Sequence, residues 1–237
     1  LQGKDLYPAT FSHKNEHATV GYYSVRYDGS DILTELTATT RTGMTRISYP
    51  ADKEGVLVFD MQHAGQNRGG DRKTIIFNSQ LRLIDATTLV GYRMLSGWQK
   101  ARKVYFYAKF SRPVVSRAFR SGSEVYTGGD VANGRNTKCY LSFGTSAEPL
   151  VVKVALSPVS IDNARQNMEA ENPGWDFESI HRQAVVAWEK ELANIRIDGS
   201  DDQKAIFYTG LYHAYIQPNT VSDVNGDYTR SDFSTDR

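Results

Sequence analysis

Short apolar runs alternate with polar turns along the first two thirds of the chain. The runs are rich in Val, Ile, Thr, Tyr and Phe, which favour strands, and they are separated by Gly, Asp, Asn and Ser. No helical period intervenes, so the pattern predicts a mainly β domain of antiparallel sheets packed as a sandwich. The predicted strands are residues 22–27, 32–39, 44–49, 56–60, 75–77, 81–84, 89–94, 104–110, 114–119, 139–143 and 151–156. Residues 63–72 and 127–137, rich in Gly, Asn and Arg, are predicted to be loops.

The period of the apolar positions changes after residue 157. Residues 160–174 are polar and end in Asn172-Pro173-Gly174, which predicts a linker. An apolar stripe then predicts a helix over residues 176–193, with its apolar face formed by Phe177, Ile180, Ala184, Trp188 and Leu192. Ser200 and Gln203 form a capping box that opens a second helix, and Pro218 ends it. These features predict a β-sandwich over residues 1–158, a linker and connecting helix over 159–198, and the start of a helical domain over 199–237.

Composition and charge restrict the class of protein. Hydrophobic residues make up 40% of the chain and charged residues 23%, which is typical of a globular protein. Lys and Arg number 28 against 27 Asp and Glu, a balance that argues against both disorder and nucleic-acid binding. No stretch approaches the ~20 apolar residues of a membrane span. The single cysteine, Cys139, excludes an intrachain disulfide framework and a multi-cysteine metal site.

Three blocks of sequence carry a family resemblance. The first is residues 11–16 (FSHKNE) with 21–25 (GYYSV), and the second is residues 35–39 (ELTAT) with Arg41, Gly43 and 46–50 (RISYP). The third is residues 207–213 (FYTGLYH) with Pro218 and 222–228 (SDVNGDY). Together with Ser96-Gly97-Trp98, these blocks resemble glycoside hydrolase family 92, the calcium-dependent, exo-acting α-mannosidases of carbohydrate-degrading bacteria.

The resemblance implies an architecture and an activity. Family members pair an N-terminal β-sandwich with a C-terminal (α/α) barrel, with the active site between them, so residues 199–237 are expected to begin that barrel. The implied reaction removes terminal α-linked mannose from a mannose-containing glycan with inversion. The implied cofactor is calcium, and the implied location is the periplasm, cell surface or exterior of a bacterium.

Both ends of the chain are expected to be cut. It opens on Leu1 without an initiator Met and stops at Arg237 without a closing helix or strand pattern. The catalytic acid, the catalytic base and the calcium ligands of the family are therefore expected beyond Arg237, and no catalytic or metal residue is assigned here. The rest of the barrel, in the same or another chain, is an expected partner, and these residues alone are expected to be inactive.

Three residues are candidates for contact with a sugar: Trp98, His213 and Asp223. Trp98 precedes a strong strand, where its ring either stacks on a pyranose face or packs inside the sandwich. His213 either reaches the cleft or is a hydrogen-bonded structural residue. Asp223 opens the segment Asp-Val-Asn-Gly-Asp, which suggests a calcium loop. An EF-hand loop needs Gly sixth and Glu twelfth, however, whereas here Gly is fourth and Ser234 is twelfth, so a tight turn is favoured.

Other functions remain open at this stage. One alternative is a non-catalytic carbohydrate-binding sandwich, which the two amphipathic helices argue against because an isolated helix pair needs something to cover it. Another is a different sandwich-and-barrel polysaccharide enzyme, such as a phosphorylase or lyase. The basic cluster of Lys100, Arg102 and Lys103 is interpreted as a solvated strand edge.

Overall fold

The computed structural model describes residues 9–62, 74–97 and 100–237. These residues form the predicted mainly β domain, followed by three helices where the sequence predicts two. The strands of the β domain are β1 (Glu16–Thr19), β2 (Tyr22–Arg26), β3 (Leu33–Ala38), β4 (Thr42–Ser48), β5 (Glu54–Asp60), β6 (Ile76–Asp85), β7 (Thr88–Leu95), β8 (Arg102–Phe110), β9 (Ser116–Ser121), β10 (Glu124–Thr127), β11 (Val131–Gly134), β12 (Thr137–Thr145) and β13 (Leu150–Ser157). The helices are α1 (Ile161–Glu171), α2 (Phe177–Leu192) and α3 (Asp201–Tyr215), and a ribbon of β14 (Tyr228–Thr229) and β15 (Thr235–Asp236) follows.

Two antiparallel sheets face each other across the core. The large sheet has nine strands in the order β1-β2-β3-β4-β13-β8-β7-β6-β11, and the small sheet has four in the order β10-β9-β12-β5. Alternate residues of each strand point inward. The buried cluster between the sheets includes Leu81, Leu89, Phe106, Phe110, Phe119, Leu141 and Phe143. Gly91 is required by this packing, because a Cβ at that position would lie 2.0 Å from the Gln80 carbonyl oxygen and 2.7 Å from the Phe106 ring.

The strand predictions were mostly right and failed at the weakest patterns. Residues 75–77 and 81–84, predicted as separate strands, belong to the single strand β6. The predicted loop 127–137 contains β11, which pairs with β6 at the edge of the large sheet. Its sequence, Val-Ala-Asn-Gly, has little strand propensity, so pairing with β6 determines its conformation. The predicted loop 63–72 lies outside the described residues.

The predicted linker contains the helix α1, which packs on the outer face of the large sheet. Ser160 caps its first turn by accepting from the Asn163 N–H at 3.0 Å. At the other end, the buried ammonium of Lys153 donates to the carbonyls of Asn172, Pro173 and Gly174 at 2.8, 3.2 and 3.0 Å. A cation at this end suits the helix dipole. Helix α1 was missed because much of its buried face is polar.

Helices α2 and α3 match the predicted apolar stripe and capping box. Phe177 and Ile180 of α2 are buried against Met44 of the large sheet. In α3, Ser200 accepts from the Gln203 N–H and Gln203 accepts from the Ser200 N–H, so both halves of the box are formed. Helix α3 has no buried residue among those described, and it meets α2 through the Trp188 and Tyr212 rings, whose centroids are 4.5 Å apart.

Candidate functional site

A cleft of about 1040 Å³ opens at one end of the sandwich, next to the segment that follows α3. Its floor is the inner face of the large sheet. Leu156 pairs with Phe106 across β13 and β8, yet Phe106 is buried whereas 50% of Leu156 is exposed. The walls are formed by residues 38–43, 100–104, 220–223 and 229–231. We call this feature the sandwich-end cleft.

Asp223 lies in the wall of the sandwich-end cleft and is only 2% exposed. Its carboxylate accepts from the Ser157 hydroxyl at 2.7 Å and from the side-chain amides of Asn163 at 3.0 Å and Asn167 at 2.7 Å. Ser157 ends β13, and the two asparagines belong to α1. One carboxylate therefore joins the sandwich, α1 and the segment after α3. These contacts fit a positioning role, and a direct contact between Asp223 and a sugar stays a prediction.

The segment Asp223–Asp227 forms the tight turn that its sequence favours. The Gly226 N–H donates to the Asp223 carbonyl at 2.9 Å, and Gly226 has a φ of +91°, which glycine adopts readily. The side-chain oxygens of Asp223, Asn225 and Asp227 all lie within 3.0–3.5 Å of the Asn163 amide nitrogen, which donates to them. Because they surround a hydrogen-bond donor, this arrangement does not fit a calcium ion.

A second polar connection lies between the β3–β4 turn and the end of α1. The Glu171 carboxylate accepts from the Arg41 backbone N–H at 2.8 Å, from the Arg41 Nη1 at 2.6 Å and from the Thr39 hydroxyl at 2.6 Å. The Arg41 Nε donates to the Ser222 carbonyl at 2.7 Å. Arg41 thus fixes the residue next to Asp223 against the rim of the sandwich-end cleft.

A third connection joins α2 to the large sheet. The Glu35 carboxylate accepts from the Arg46 Nε and Nη2 at 2.7 and 2.6 Å and from the Tyr22 hydroxyl at 2.9 Å. Arg46 also donates to Glu178 of α2 at 2.9 Å and lies over the Phe177 ring. The hydrogen bonds from Arg46, and then the one from Tyr22, hold the pKa of Glu35 below its ordinary value, although burial opposes them.

A larger groove, of about 1420 Å³, lies between the first strands of the large sheet and helices α2 and α3. Trp188 and Tyr212 line it. His213 follows Tyr212 but lines neither the groove nor the sandwich-end cleft, and its side chain is exposed. No hydrogen bond to its side chain occurs within the described part of the chain. The structure therefore brings Asp223 to a cleft and leaves His213 at the surface of α3. Trp98 lies outside the described residues.

Two further observations bear on the chemistry of the chain. Burial raises the pKa of the Cys139 thiol to about 12, so it stays protonated and is not a nucleophile at neutral pH. Within residues 9–62, 74–97 and 100–237, His, Cys, Asp and Glu form no group of three that could hold a metal ion. The helices of that part of the chain are each too short or too polar to cross a membrane.

Two family models match the chain. The N-terminal domain of glycosyl hydrolase family 92 matches residues 2–157, and the catalytic domain of the same family matches residues 163–237. The first match ends with the last strand of the sandwich, and the second covers most of α1 and everything after it. The motif blocks that suggested the family thus lie in both matched regions.

Solved and curated relatives agree with these models. The family GH92 α-mannosidase BT3965 from Bacteroides thetaiotaomicron is 30% identical, with a TM-score of 0.88 over 97% of this chain and 31% of its own. BT3965 has also been solved in complex with mannoimidazole. The GH92 family glycosyl hydrolase ccman5 is 25% identical, with a TM-score of 0.85 over 96% of this chain and 32% of its own.

The chain spans only part of these relatives. It covers about a third of both solved proteins. An uncharacterized secreted glycosidase from Arthroderma benhamiae is 32% identical over 94 residues, which is 36% of this chain and 12% of that protein. The N-terminal family model alone accounts for well over half of the 237 residues. The chain therefore belongs to glycosyl hydrolase family 92.

Proposed function

We propose that the protein to which this chain belongs is an α-mannosidase that removes terminal α-linked mannose from glycans. The observation that carries the proposal is the match to the α-mannosidase BT3965, at 30% identity and a TM-score of 0.88 over 97% of the chain. The match of residues 163–237 to the catalytic domain favours an enzyme over a carbohydrate-binding module. The fold agrees with this choice, because α3 exposes apolar side chains that a self-contained module would have to cover.

The proposed reaction is hydrolysis with inversion. A general acid protonates the glycosidic oxygen as its bond to the anomeric carbon breaks, and a general base takes a proton from the water that attacks the opposite face. Such carboxyl groups lie about 6.5–9.5 Å apart, which leaves room for the water. We assign both groups to the part of the catalytic domain that the solved relatives have beyond the region matched here.

The role proposed for the present residues is to shape one side of the site. Asp223 and Arg41 fix the segment after α3 to the sandwich, and both line the sandwich-end cleft. Residues 220–223 and 229–231 then form a wall whose position depends on these contacts. We propose that this cleft faces the glycan in the complete enzyme.

Calcium dependence and secretion are further parts of the proposal. The Asp223–Asp227 turn does not fit the ion, so we propose calcium only as a requirement of the complete enzyme, with ligands outside the described residues. The curated relative from Arthroderma benhamiae is described as secreted. An extracellular or periplasmic location would give an enzyme of this class access to glycans.

The test is an assay of the full-length protein with an aryl α-mannoside, with the aryl β-mannoside and α-glucoside as controls. We expect turnover of the α-mannoside alone, release of β-mannose as the first product by NMR, and loss of activity with EDTA that calcium restores. The isolated 237-residue chain should be inactive, because an acid and a base each contribute a factor of ~10²–10⁴. Failure of the full-length protein to cleave any α-mannoside would refute the proposed activity.

A further inference from the structure

The stretch of chain just before the Asp223 turn, residues 219–222, is held by very few contacts. Thr220, Val221 and Ser222 line the sandwich-end cleft, and Thr220 also lines the larger groove beside α2 and α3. Within the described part of the chain, residues 219–222 make a single hydrogen bond, in which the Ser222 carbonyl accepts from the Arg41 Nε at 2.7 Å. The position of this part of the cleft wall therefore depends on where the Arg41 guanidinium is held.

One carboxylate holds Arg41 at both ends. The Glu171 Oε2 accepts from the Arg41 backbone N–H at 2.8 Å, and the Glu171 Oε1 accepts from the Arg41 Nη1 at 2.6 Å. The Oε2 atom also accepts from the Thr39 hydroxyl at 2.6 Å, which fixes the β3–β4 turn where Arg41 leaves it. A free arginine side chain occupies many rotamers, and holding both its ends selects among them. Glu171 therefore determines where the Nε of Arg41 meets Ser222.

The pair of Arg41 and Glu171 is shielded from solvent. The two side chains are 20% and 15% exposed. The same helix offers a contrasting pair, since Glu169 lies two residues earlier and pairs with Arg165 at exposures of 60% and 41%. Exposed ion pairs contribute little, whereas short charge-assisted hydrogen bonds away from solvent are among the stronger ones in proteins. Glu171 and Glu169 thus form a matched pair of carboxylates, of which only Glu171 is connected to the cleft wall.

Glu171 lies outside the cleft lining and outside the motif blocks of the sequence. It is the last residue of α1, which packs on the outer face of the large sheet. The next residue, Asn172, is fully buried, and its carbonyl accepts from the Lys153 ammonium at 2.8 Å. The carboxylate is therefore mounted on an anchored helix end. Such a residue suits the task of positioning the wall without touching a ligand.

We propose that Glu171 is a positioning residue of the mannosidase site, acting through Arg41 on the backbone at Ser222. Loss of the carboxylate leaves Arg41 free to change rotamer, which releases residues 219–222 from the sandwich and weakens the grip of the cleft on the glycan. The inference rests on the proposed function, because it assigns a further residue to the same site. The connection from Glu171 to Ser222 is tested separately from its effect on the glycan.

The first test measures kcat and KM of the full-length protein with an aryl α-mannoside. Glu171→Gln keeps the shape of the side chain but offers one acceptor oxygen, so it cannot hold both ends of Arg41. We expect KM to rise by about 10- to 100-fold, as loss of a hydrogen bond to a charged group does. We expect kcat to stay within about threefold, because the wall binds ground state and transition state alike. Glu169→Gln is the matched control and should change neither.

Two variants of Arg41 test the route through this residue. Arg41→Lys can keep the ion pair with Glu171 but has no Nε to donate to Ser222, so KM should rise while the melting temperature is retained. This variant also decides the question if Glu171→Gln does not fold. In the Arg41→Ala background, adding Glu171→Gln should raise KM no further, because residues that act through one connection are not additive.

The second test needs no substrate. Limited proteolysis of the full-length protein, mapped by mass spectrometry, measures the rate of cleavage within residues 219–222. Cleavage should be about tenfold faster in Glu171→Gln and Arg41→Lys than in the unmodified protein or Glu169→Gln, because cleavage follows local opening. If the unmodified protein cleaves no α-mannoside, the mannosidase proposal fails, while proteolysis still decides whether Glu171 positions the wall.

Four outcomes would overturn the inference. Unchanged KM and unchanged cleavage in Glu171→Gln would remove its role. Equal changes in Glu169→Gln would reduce the effect to the loss of one charge from α1. A full further rise in KM when Glu171→Gln is added to Arg41→Ala would show that Glu171 does not act through Arg41. A lower melting temperature with unchanged KM would make Glu171 a stabilising residue only.

Discussion

Replacing Asp223 with Ala is expected to release the segment after α3 from the sandwich. The carboxylate accepts three side-chain hydrogen bonds, at 2.7, 3.0 and 2.7 Å, in a place that is 2% exposed. A hydrogen bond to a charged group is worth about 1.5–3 kcal/mol, and the three are not additive because the donors share one acceptor. Asn167 keeps a second acceptor, the Leu156 carbonyl. The substitution takes this acceptor from the neutral donors of Ser157 and Asn163, and each unsatisfied buried donor costs about 1–3 kcal/mol, so we expect a total of about 3–5 kcal/mol.

The assay is hydrogen exchange of peptides covering residues 161–171 and 222–228. A cost of about 3–5 kcal/mol corresponds to a protection factor lower by a factor of about 100 to 4,000 when exchange follows local opening. Asp223→Asn should give an intermediate loss, because one amide oxygen remains while the NH2 group faces donors. The control is Asp232→Ala, since Asp232 is exposed and bonds to Ser234 within its own turn. Unchanged protection of residues 222–228 in Asp223→Ala would show that the carboxylate does not hold this segment.

Three further predictions concern the other connections. Because hydrogen bonds lower the pKa of Glu35 in the folded state, its contribution to stability is complete above the unfolded value of about 4.3 and is lost as the pH falls through the lower folded value. In Glu35→Gln, the free energy of unfolding, measured with urea between pH 3 and 7, should therefore fall less steeply as the pH is lowered. The same pH dependence in the variant and the unmodified protein would contradict this. Burial, and then the charge of Lys109, lower the pKa of Lys153, so stability should rise with pH between the folded value and the unfolded value of about 10.4. Lys153→Met should abolish that rise and cost about 1–3 kcal/mol at neutral pH through the unpaired carbonyls at the end of α1, and retention of the rise in the variant would refute the assignment. In the isolated chain, the backbone amides of α3 should exchange hydrogen quickly, because Ile206 is 75% exposed and no described residue of the helix is buried. The amides of β8 should stay protected. Equal protection of α3 and β8 in a verified monomer would mean that α3 is stable without further partners.

The sequence predicts the sandwich well because its strands carry their own signal. Residues 104–110 of β8 alternate apolar and polar positions, and the alternation places Phe106 and Phe110 inward, as the structure shows. Where the hydrophobic pattern covers only a few residues, pairing with a neighbouring strand determines the conformation. Residues 131–134 become β11 because β6 offers them an edge, and nothing local in Val-Ala-Asn-Gly indicates a strand.

Helix α1 illustrates a different limit of prediction. Its buried positions include the amides Asn163 and Asn167, which a hydrophobic period does not register. These side chains are stable in the interior because Asp223 accepts from both of them, from 60 and 56 residues away along the chain. The sequence Asp-Val-Asn-Gly-Asp predicted the turn at Asp223, but nothing in the sequence predicted that Asn163 and Asn167 would donate to its carboxylate.

The sandwich-end cleft could not be predicted from the sequence either, because its walls depend on contacts between residues that are far apart along the chain. Arg41 and Asp223 both stood in motif blocks, yet Arg41 meets Glu171 across 130 residues of chain, and no spacing rule links them. The basic cluster of Lys100 and Arg102 was visible and was interpreted as a solvated edge. That interpretation considered the composition of the cluster, while the position of Arg102 on the inner face of the large sheet depends on the register of β8.

The polar contacts explain why the sandwich and the first catalytic helices form one unit. Hydrogen bonds are directional, so the contacts of Asp223, Arg41, Glu35 and Lys153 fix position and orientation where apolar packing alone would allow sliding. The apolar faces of α3 remain uncovered and are suited to non-directional packing with further structure. The wall of the sandwich-end cleft, formed by residues 220–223, is therefore set by contacts within this chain. Under the proposed function, the rest of the catalytic domain would then pack against a cleft wall whose geometry already exists.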